Sequence, residues 1–419
     1  MTRGRLAIFT ICSNNYLPMA KVLFASAERY CPQAELFLCL GDERLSESTH
    51  YPANASVVTA EELAIPDFRD FAFRYSIMEF NTALKPFMIR HLLEQGFDAV
   101  LYFDPDIEIF APLDVVIDPL RDGFNFVLTP HLCQPAEGDA YPDDFGIMRA
   151  GVYNLGFIGV GAGTDTERLL RWWSRRLRYH CISDQDHGVF VDQKFIDLLP
   201  GFTDSVRIVR DSGCNVAYWN LQQRHLTQDG DRWLVDGQPL RFFHFSAINI
   251  GDLSYLSKWT QAFRGAEISP ALRALMSHYA ARVIAAGNGS RALPEYSYAH
   301  FASGTPITDP VRRMFRERHL SWLGDPFETY EEYLHLPVPG QWAGSSACII
   351  TNLMDDLWRR TPWLAARFDP ATREGVEGYT DWFLRNGQAL LGDARLMEPV
   401  AARIAGRKPN TSTGETIGA

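Results

Sequence analysis

The chain has 419 residues, is 46% hydrophobic and 13% aromatic, and carries a formal net charge of −11 at pH 7. That length exceeds one ordinary domain and leaves room for a large domain of roughly 250 residues plus a smaller one. The acidic balance argues against a dedicated nucleic-acid binder, which needs surplus Lys and Arg to neutralise phosphates.

Seven cysteines (Cys12, Cys31, Cys39, Cys133, Cys181, Cys214 and Cys348) are odd in number, widely scattered and include no CxxC pair. Neither a disulfide framework nor a zinc ribbon is suggested, and a reducing compartment fits. The run LAIFTIC after Arg3 and Arg5 is seven residues long, too short for the apolar region of a signal peptide. No later segment reaches the length of about 18 apolar residues that a membrane span needs. The expectation is a soluble, cytoplasmic chain.

In chain order, LAIFTIC (6–12) and AELFLCL (34–40) read as buried strands around a helix over about Met19 to Arg29, one βαβ unit. KPFMIRHLLEQGF has Pro86 where a first helical turn tolerates it and Gly96 at the stop, and the strand AVLYF follows at once. Further strands are expected at FNFVLTP (124–130), NLGFIGV (154–160), VRIV (206–209) and RFFHF (241–245), with a helix at TERLLRWWSRRLRY (166–179). Such alternation implies an α/β fold with a mostly parallel sheet flanked by helices, whose ligands bind at the C-terminal ends of the strands. Beyond about Gln261 the texture turns helical, as in ALRALMSHYAARVIAAG and EGYTDWFLRNGQALL. The expected division is 1–260, a mainly helical region at 261–405 serving the acceptor side or assembly, and a disordered tail at 406–419.

The stretch AVLYFDPDIEIF sets Asp104 and Asp106 at the end of a hydrophobic strand. Side chains two apart in an extended segment point the same way, so both carboxylates can converge past the strand end. Two convergent oxygens suit a hard divalent cation, Mg²⁺ or Mn²⁺, which shares its shell with substrate phosphates. The simpler reading is a turn, because Asp and Pro are common turn residues. The position at a ligand-binding edge favours the cation.

TICSNNYLPMAKVLFAS, ALKPFMIRHLLEQGFDAVLYFDPDIEIFAPL, YNLGFIGV, VDQKFID and FFHFSAINIGDLSYLSKW follow one another in order over residues 6–260. In these blocks the chain resembles the Rossmann-like GT-A glycosyltransferases, specifically the retaining, metal-dependent family 8 group that includes glycogenin and bacterial lipopolysaccharide galactosyltransferases. The resemblance implies a metal held by Asp104, Asp106 and His244, and a base and ribose site lined by Thr10 and Tyr16. It implies further that Lys85 meets the donor's sugar or phosphate, that Asn154, Asp192 and Gln193 surround the sugar, and that Lys258 reaches the diphosphate. Gln193 or Asp192 would then lie nearest the reacting carbon. One departure is that His244 and Lys258 stand fourteen residues apart, with Ser246-Ala247 where the group has a Gly-containing turn.

Each residue has a plainer reading as well. Lys85 can be a solvated first-turn residue and His244 a core histidine between Phe243 and Phe245; Asn154 can make a turn and Asp192 can cap a helix. HCISDQDHGVFVD gathers His180, Cys181, Asp184, Asp186 and His187 at spacings that match no zinc pattern. The 166–179 helix sets Leu169, Leu170, Trp173 and Leu177 on one face and Arg168, Arg171, Arg175, Arg176 and Arg178 around the other. It reads either as a docked surface helix or as a peripheral membrane contact. The function implied is transfer of a sugar, with retention, from a nucleotide-diphosphate sugar to a glycan or lipid-linked acceptor, for example in surface polysaccharide assembly. The competing readings are a sugar-phosphate nucleotidyltransferase and a non-catalytic sugar-nucleotide-binding protein; no oligomeric state follows from the sequence.

Overall fold

The computed structural model describes residues 4–135, 142–287, 295–338, 342 and 350–405. The tail at 406–419 lies outside them. The chain divides into two compact units, one of Met1–Phe71 with Ile77–Ser297 and one of Ala72–Ser76 with Tyr298–Ala419.

The first unit is built on β1 (Leu6–Cys12), β2 (Ala34–Leu40), β3 (Ser56–Thr59), β4 (Ala99–Phe103), β6 (Phe126–Pro130), β7 (Tyr153–Gly161) and the strand Val206–Ile208; the short β5 (Ile107–Ile109) lies outside this sheet. The order across the sheet is Val206–Ile208, β6, β7, β4, β1, β2, β3. Every pair is parallel except those of β7, which runs antiparallel to both β4 and β6. All residues of β1, β6 and β7 are buried, as expected of strands covered on both faces. This mostly parallel sheet flanked by helices, with a helical C-terminal region, is the architecture the sequence implies.

The reversal of β7 matters for the site. Its pairing with β4 ends at Phe103 opposite Phe157, and the Asp104 amide donates to the Gly156 carbonyl at 2.8 Å. The N-terminal end of β7, with Asn154 and Gly156, therefore lies at the same edge as the C-terminal ends of β1 and β4. Next to this edge, β5 pairs antiparallel with the strand Phe242–His244, with Ile107 opposite His244 and Glu108 opposite Phe243.

The first unit runs on to Ser297, past the expected boundary at 260, because the helix Pro270–Ala286 packs into it. Tyr279 stacks on Phe245 with ring centroids 3.7 Å apart, and the buried Glu108 accepts from His278 at 3.1 Å and from Arg282. In the second unit, Phe73 packs among Phe301, Phe315, Phe327 and Tyr330. Among the described residues no helix is long and apolar enough to cross a membrane, and six cysteines are free thiols.

Candidate metal centre

β4 is a hydrophobic run that stops at Phe103. Asp104 then leaves the sheet, and the Ile107 amide closes a turn onto the Asp104 carbonyl at 3.1 Å. Turn and convergence therefore hold together. The Phe245 amide ties the Asp106 carbonyl at 2.9 Å, which brings His244 against the turn. His244 Nε2 lies 3.1 Å from an Asp106 oxygen and 3.6 Å from an Asp104 oxygen. Among the described residues this is the one group of three His, Cys, Asp or Glu side chains whose ligand atoms all fall within 4.8 Å. His187 pairs instead with Asp184 at 2.9 Å.

The donor set fits a divalent cation. Adjacent ligands of an octahedral ion at about 2.1 Å lie roughly 3 Å apart, close to the His244–Asp106 spacing. One imidazole nitrogen and two carboxylates suit a divalent cation. Asp104 keeps 28% of its side chain exposed, whereas His244 keeps 5%, so the group is open on the Asp104 side. Burial pushes the Asp104 carboxyl up; Lys85 and His244 oppose this and Asp106 adds to it. Burial alone would lower His244, but the facing Asp106 and Asp104 carboxylates leave it raised above 6.5.

Several residues that the sequence reading did not single out hold this group. The Tyr102 hydroxyl donates to the second oxygen of Asp104. Gly156 lies so close to the His244 ring that a Cβ there would meet Cε1 at 2.4 Å and Nδ1 at 2.5 Å. Trp219 packs edge-on against His244, with ring centroids 5.1 Å apart. A glycine in a buried strand is a readable sign of close approach; the roles of Tyr102 and Trp219 leave no mark in the sequence.

Beside the metal group lies a second, fully engaged set. Lys85 is buried, and its ammonium donates to Asp192 at 2.5 Å and to the Leu155 carbonyl at 2.7 Å, over the Tyr102 ring at 4.2 Å. The solvated reading of Lys85 therefore fails. Burial raises the Asp192 carboxyl and Lys85 opposes it. Asp192 makes no side-chain helix cap, so the capping reading fails too. Gln193 accepts from the Leu155 amide at 3.3 Å and donates to the Ala150 carbonyl at 2.8 Å. The Asn154 oxygen accepts from the Gly156 amide at 3.1 Å and from Asn215 at 3.0 Å, and its amide nitrogen meets His131 Nε2 at 3.2 Å. Burial pushes His131 down to about 4, so this ring is neutral near pH 7.

Tyr16 is partly exposed at the end of the loop after β1, and its hydroxyl is pushed up to about 12 by burial and then by the Asp106 and Asp104 carboxylates. Thr10 is buried on β1, its hydroxyl without a hydrogen-bond partner among the described residues. Lys258 is not brought into the cluster by any hydrogen bond or ion pair among the described residues; its ammonium lies 4.6 Å from the Trp259 ring centroid. At the departure noted above, Ala247 adopts φ of 56°, the left-handed conformation that a glycine takes without strain.

No family model matches the chain. Two uncharacterised Bacillus subtilis (strain 168) proteins are similar to it. YfnD is 24% identical over 250 residues, covering 58% of this chain and 77% of YfnD. YfnF is 26% identical over 266 residues, covering 60% of this chain and 84% of YfnF. Among solved structures, the galactosyltransferase LgtC in complex with donor and acceptor sugar analogues aligns at TM-score 0.36 and 15% identity, over 69% of this chain and 98% of LgtC. An active-site mutant of LgtC aligns at TM-score 0.37 with the same identity and coverage.

Proposed function

We propose that the chain is a metal-dependent glycosyltransferase that moves a sugar, with retention, from a nucleotide-diphosphate sugar to a glycan acceptor. The observation that carries this reading is the convergence of Asp104, Asp106 and His244 on one point at the C-terminal edge of a mostly parallel sheet. Two carboxylates facing one histidine leave a negative excess that a divalent cation neutralises.

Asp104, Asp106 and His244 would hold the cation, which when bound supplies Lewis-acid stabilisation of the charge developing on a diphosphate leaving group. Tyr102 turns Asp104 so that its other oxygen faces His244, an outer contact of the kind that orients metal ligands. Tyr16, near both carboxylates, would stack on the base, and Thr10 lies on the strand that leads to it. Lys85 holds Asp192 at 2.5 Å, which makes Asp192 a fixed acceptor for sugar hydroxyls and a poor free base. An inverting displacement needs a carboxylate base behind the anomeric carbon, so this lock supports retention. Gln193, held through both ends of its amide, presents a rigid edge to the sugar beside Asn154. Lys258 would reach the diphosphate only by leaving Trp259.

The test is incubation with a panel of nucleotide sugars, with and without Mn²⁺, while released nucleotide is measured. One donor should release nucleotide, EDTA should stop the release and added Mn²⁺ should restore it. Pyrophosphate release from a nucleoside triphosphate and a sugar phosphate would replace this reading with the nucleotidyltransferase. Tight donor binding without turnover, on any acceptor, would replace it with the binding protein.

A further inference from the structure

The helix Thr164–His180 uses its apolar stripe inside the protein: Leu169, Leu170, Trp173 and Leu177 are all buried. Its outward stripe is Arg168, Trp172, Arg175 and Arg176, which helical spacing sets along one face. The Trp172 ring is half-buried and meets Phe202 edge-on, centroids 5.1 Å apart, and Phe195 at 6.5 Å. Leu198 and Phe202, 52% and 43% exposed, flank the turn Leu199–Gly201. Arg168 pairs with Asp165 at 3.0 Å and donates to the Phe202 carbonyl at 3.3 Å. Arg171, to one side, pairs with Glu167 at 3.0 Å, and Arg178 pairs with Asp67. Arg175 and Arg176 are both exposed, and among the described residues no ion pair joins either to a carboxylate.

We propose that this face docks on an anionic phospholipid bilayer. Arg168, Arg171, Arg175 and Arg176 outnumber the neighbouring Asp165 and Glu167 by two charges, on a chain whose total is −11. A basic patch on an acidic chain orients that chain on a negative surface and repels the rest of it. The bilayer offers headgroup phosphates to the unpaired guanidinium groups and an apolar boundary to Leu198, Phe202 and the Trp172 edge, the partition expected of interfacial Arg, Trp and Phe. A second copy meeting this face through a two-fold axis would set arginine against arginine. Docking stands independently of the metal reading. It gives the helix Gln193–Ile196 a membrane-side position, since Phe195 touches Trp172 while Gln193 binds β7 at the Leu155 amide.

Co-sedimentation of the full chain with phosphatidylcholine vesicles, and with vesicles in which part of that lipid is replaced by phosphatidylglycerol, tests the proposal at low and high salt. The parent should sediment with the anionic vesicles only and be released by salt. Arg175→Gln and Arg176→Gln should each lower partitioning about fivefold, and Leu198→Ser with Phe202→Ser should lower it further, all with unchanged circular dichroism and melting temperature. Equal sedimentation with neutral vesicles, none with either, or variants that partition like the parent would overturn the proposal. Parent self-association that the same variants abolish would assign the face to a second copy instead.

Discussion

The two halves of the site are opposites in charge accounting. On the metal side, Asp104 and Asp106 face one histidine, and Lys85 acts on Asp104 at longer range. On the other side, Lys85 and Asp192 balance each other at 2.5 Å, and Gln193 and Asn154 have most of their hydrogen-bonding capacity engaged. Repulsion left in place marks a group that waits for a cation, whereas a saturated, buried pair marks a surface already shaped before substrate arrives. Substitutions in the first half should therefore change binding and spare the fold. Removing one member of the buried ion pair in the second should change the fold.

The largest effect is expected from Asp104→Asn and Asp106→Asn. Each keeps the shape of its side chain and removes a charge from a repelling pair, so at a pH above the raised His244 pKa, where the ring is neutral, the metal-free melting temperature should stay level or rise. Mn²⁺ affinity, followed by calorimetric titration, should fall by more than a hundredfold, and turnover by orders of magnitude. A large drop in metal-free stability in both variants would return the Asp-Pro-Asp segment to a plain structural turn.

Asp192→Asn sharpens the contrast. It leaves the Lys85 ammonium buried without its carboxylate, a change that costs about 3–5 kcal/mol when one member of a buried pair is removed. The melting temperature should drop by several degrees while residual folded protein still binds Mn²⁺. Gln193→Ala, in contrast, should lower turnover far more than it weakens binding of the free nucleotide. Stability near the parent's in Asp192→Asn would mean that Lys85 finds another partner and that the lock is not real.

Gly156→Ala comes next. The added methyl would meet the His244 ring at 2.4–2.5 Å and the Asn154 oxygen at 2.7 Å, so the imidazole must move off the point it shares with the carboxylates. Overpacking of this kind costs about 1–3 kcal/mol. The expected signature is a loss of Mn²⁺ affinity of roughly tenfold or more, in line with displaced metal ligands and their supports, together with a modest drop in melting temperature. Unchanged Mn²⁺ binding would show that His244 does not need its place over the glycine.

How much of this was legible in the sequence follows from what the sequence encodes locally. The strand Ala99–Phe103 with its two carboxylates was readable because a hydrophobic run followed by Asp-Pro-Asp is a local pattern, and β1 and β2 matched their expected limits of 6–12 and 34–40 for the same reason. The direction of β7 was not readable, since the same buried run can pair either way, yet that direction is what brings Asn154 and Gly156 to the metal edge. Tyr102 reads as one more aromatic in a core strand until its hydroxyl is seen on Asp104. β3 and β5 are only four and three residues long, below the length at which periodicity speaks. The helix Pro270–Ala286 was read with the C-terminal region because its texture matches that region; its place in the first unit comes from Tyr279 on Phe245 and Arg282 on Glu108, contacts more than 30 residues apart that no local pattern carries.

The smallest effect expected is that of pH on the metal half, at most tenfold in affinity per pH unit for one displaced proton. His244 must offer a neutral nitrogen to bind a cation, so protons and Mn²⁺ compete for it. Burial opposes its protonation, but the Asp106 and Asp104 carboxylates outweigh burial, and its folded pKa stands above the ordinary 6.5. Mn²⁺ affinity should therefore weaken as pH falls through that raised value, beginning above 6.5. The metal-free protein should show the reverse dependence. A histidine whose folded pKa is raised contributes stability that is fully present below its unfolded pKa and is lost as pH rises through the folded one. Melting temperature without metal should thus fall with rising pH across the window in which the Mn²⁺-induced rise grows. His244→Ala should flatten both curves there. Parallel Mn²⁺ titrations for parent and His244→Ala across the window would remove His244 from the ligand set, and with it the asymmetry between the two halves.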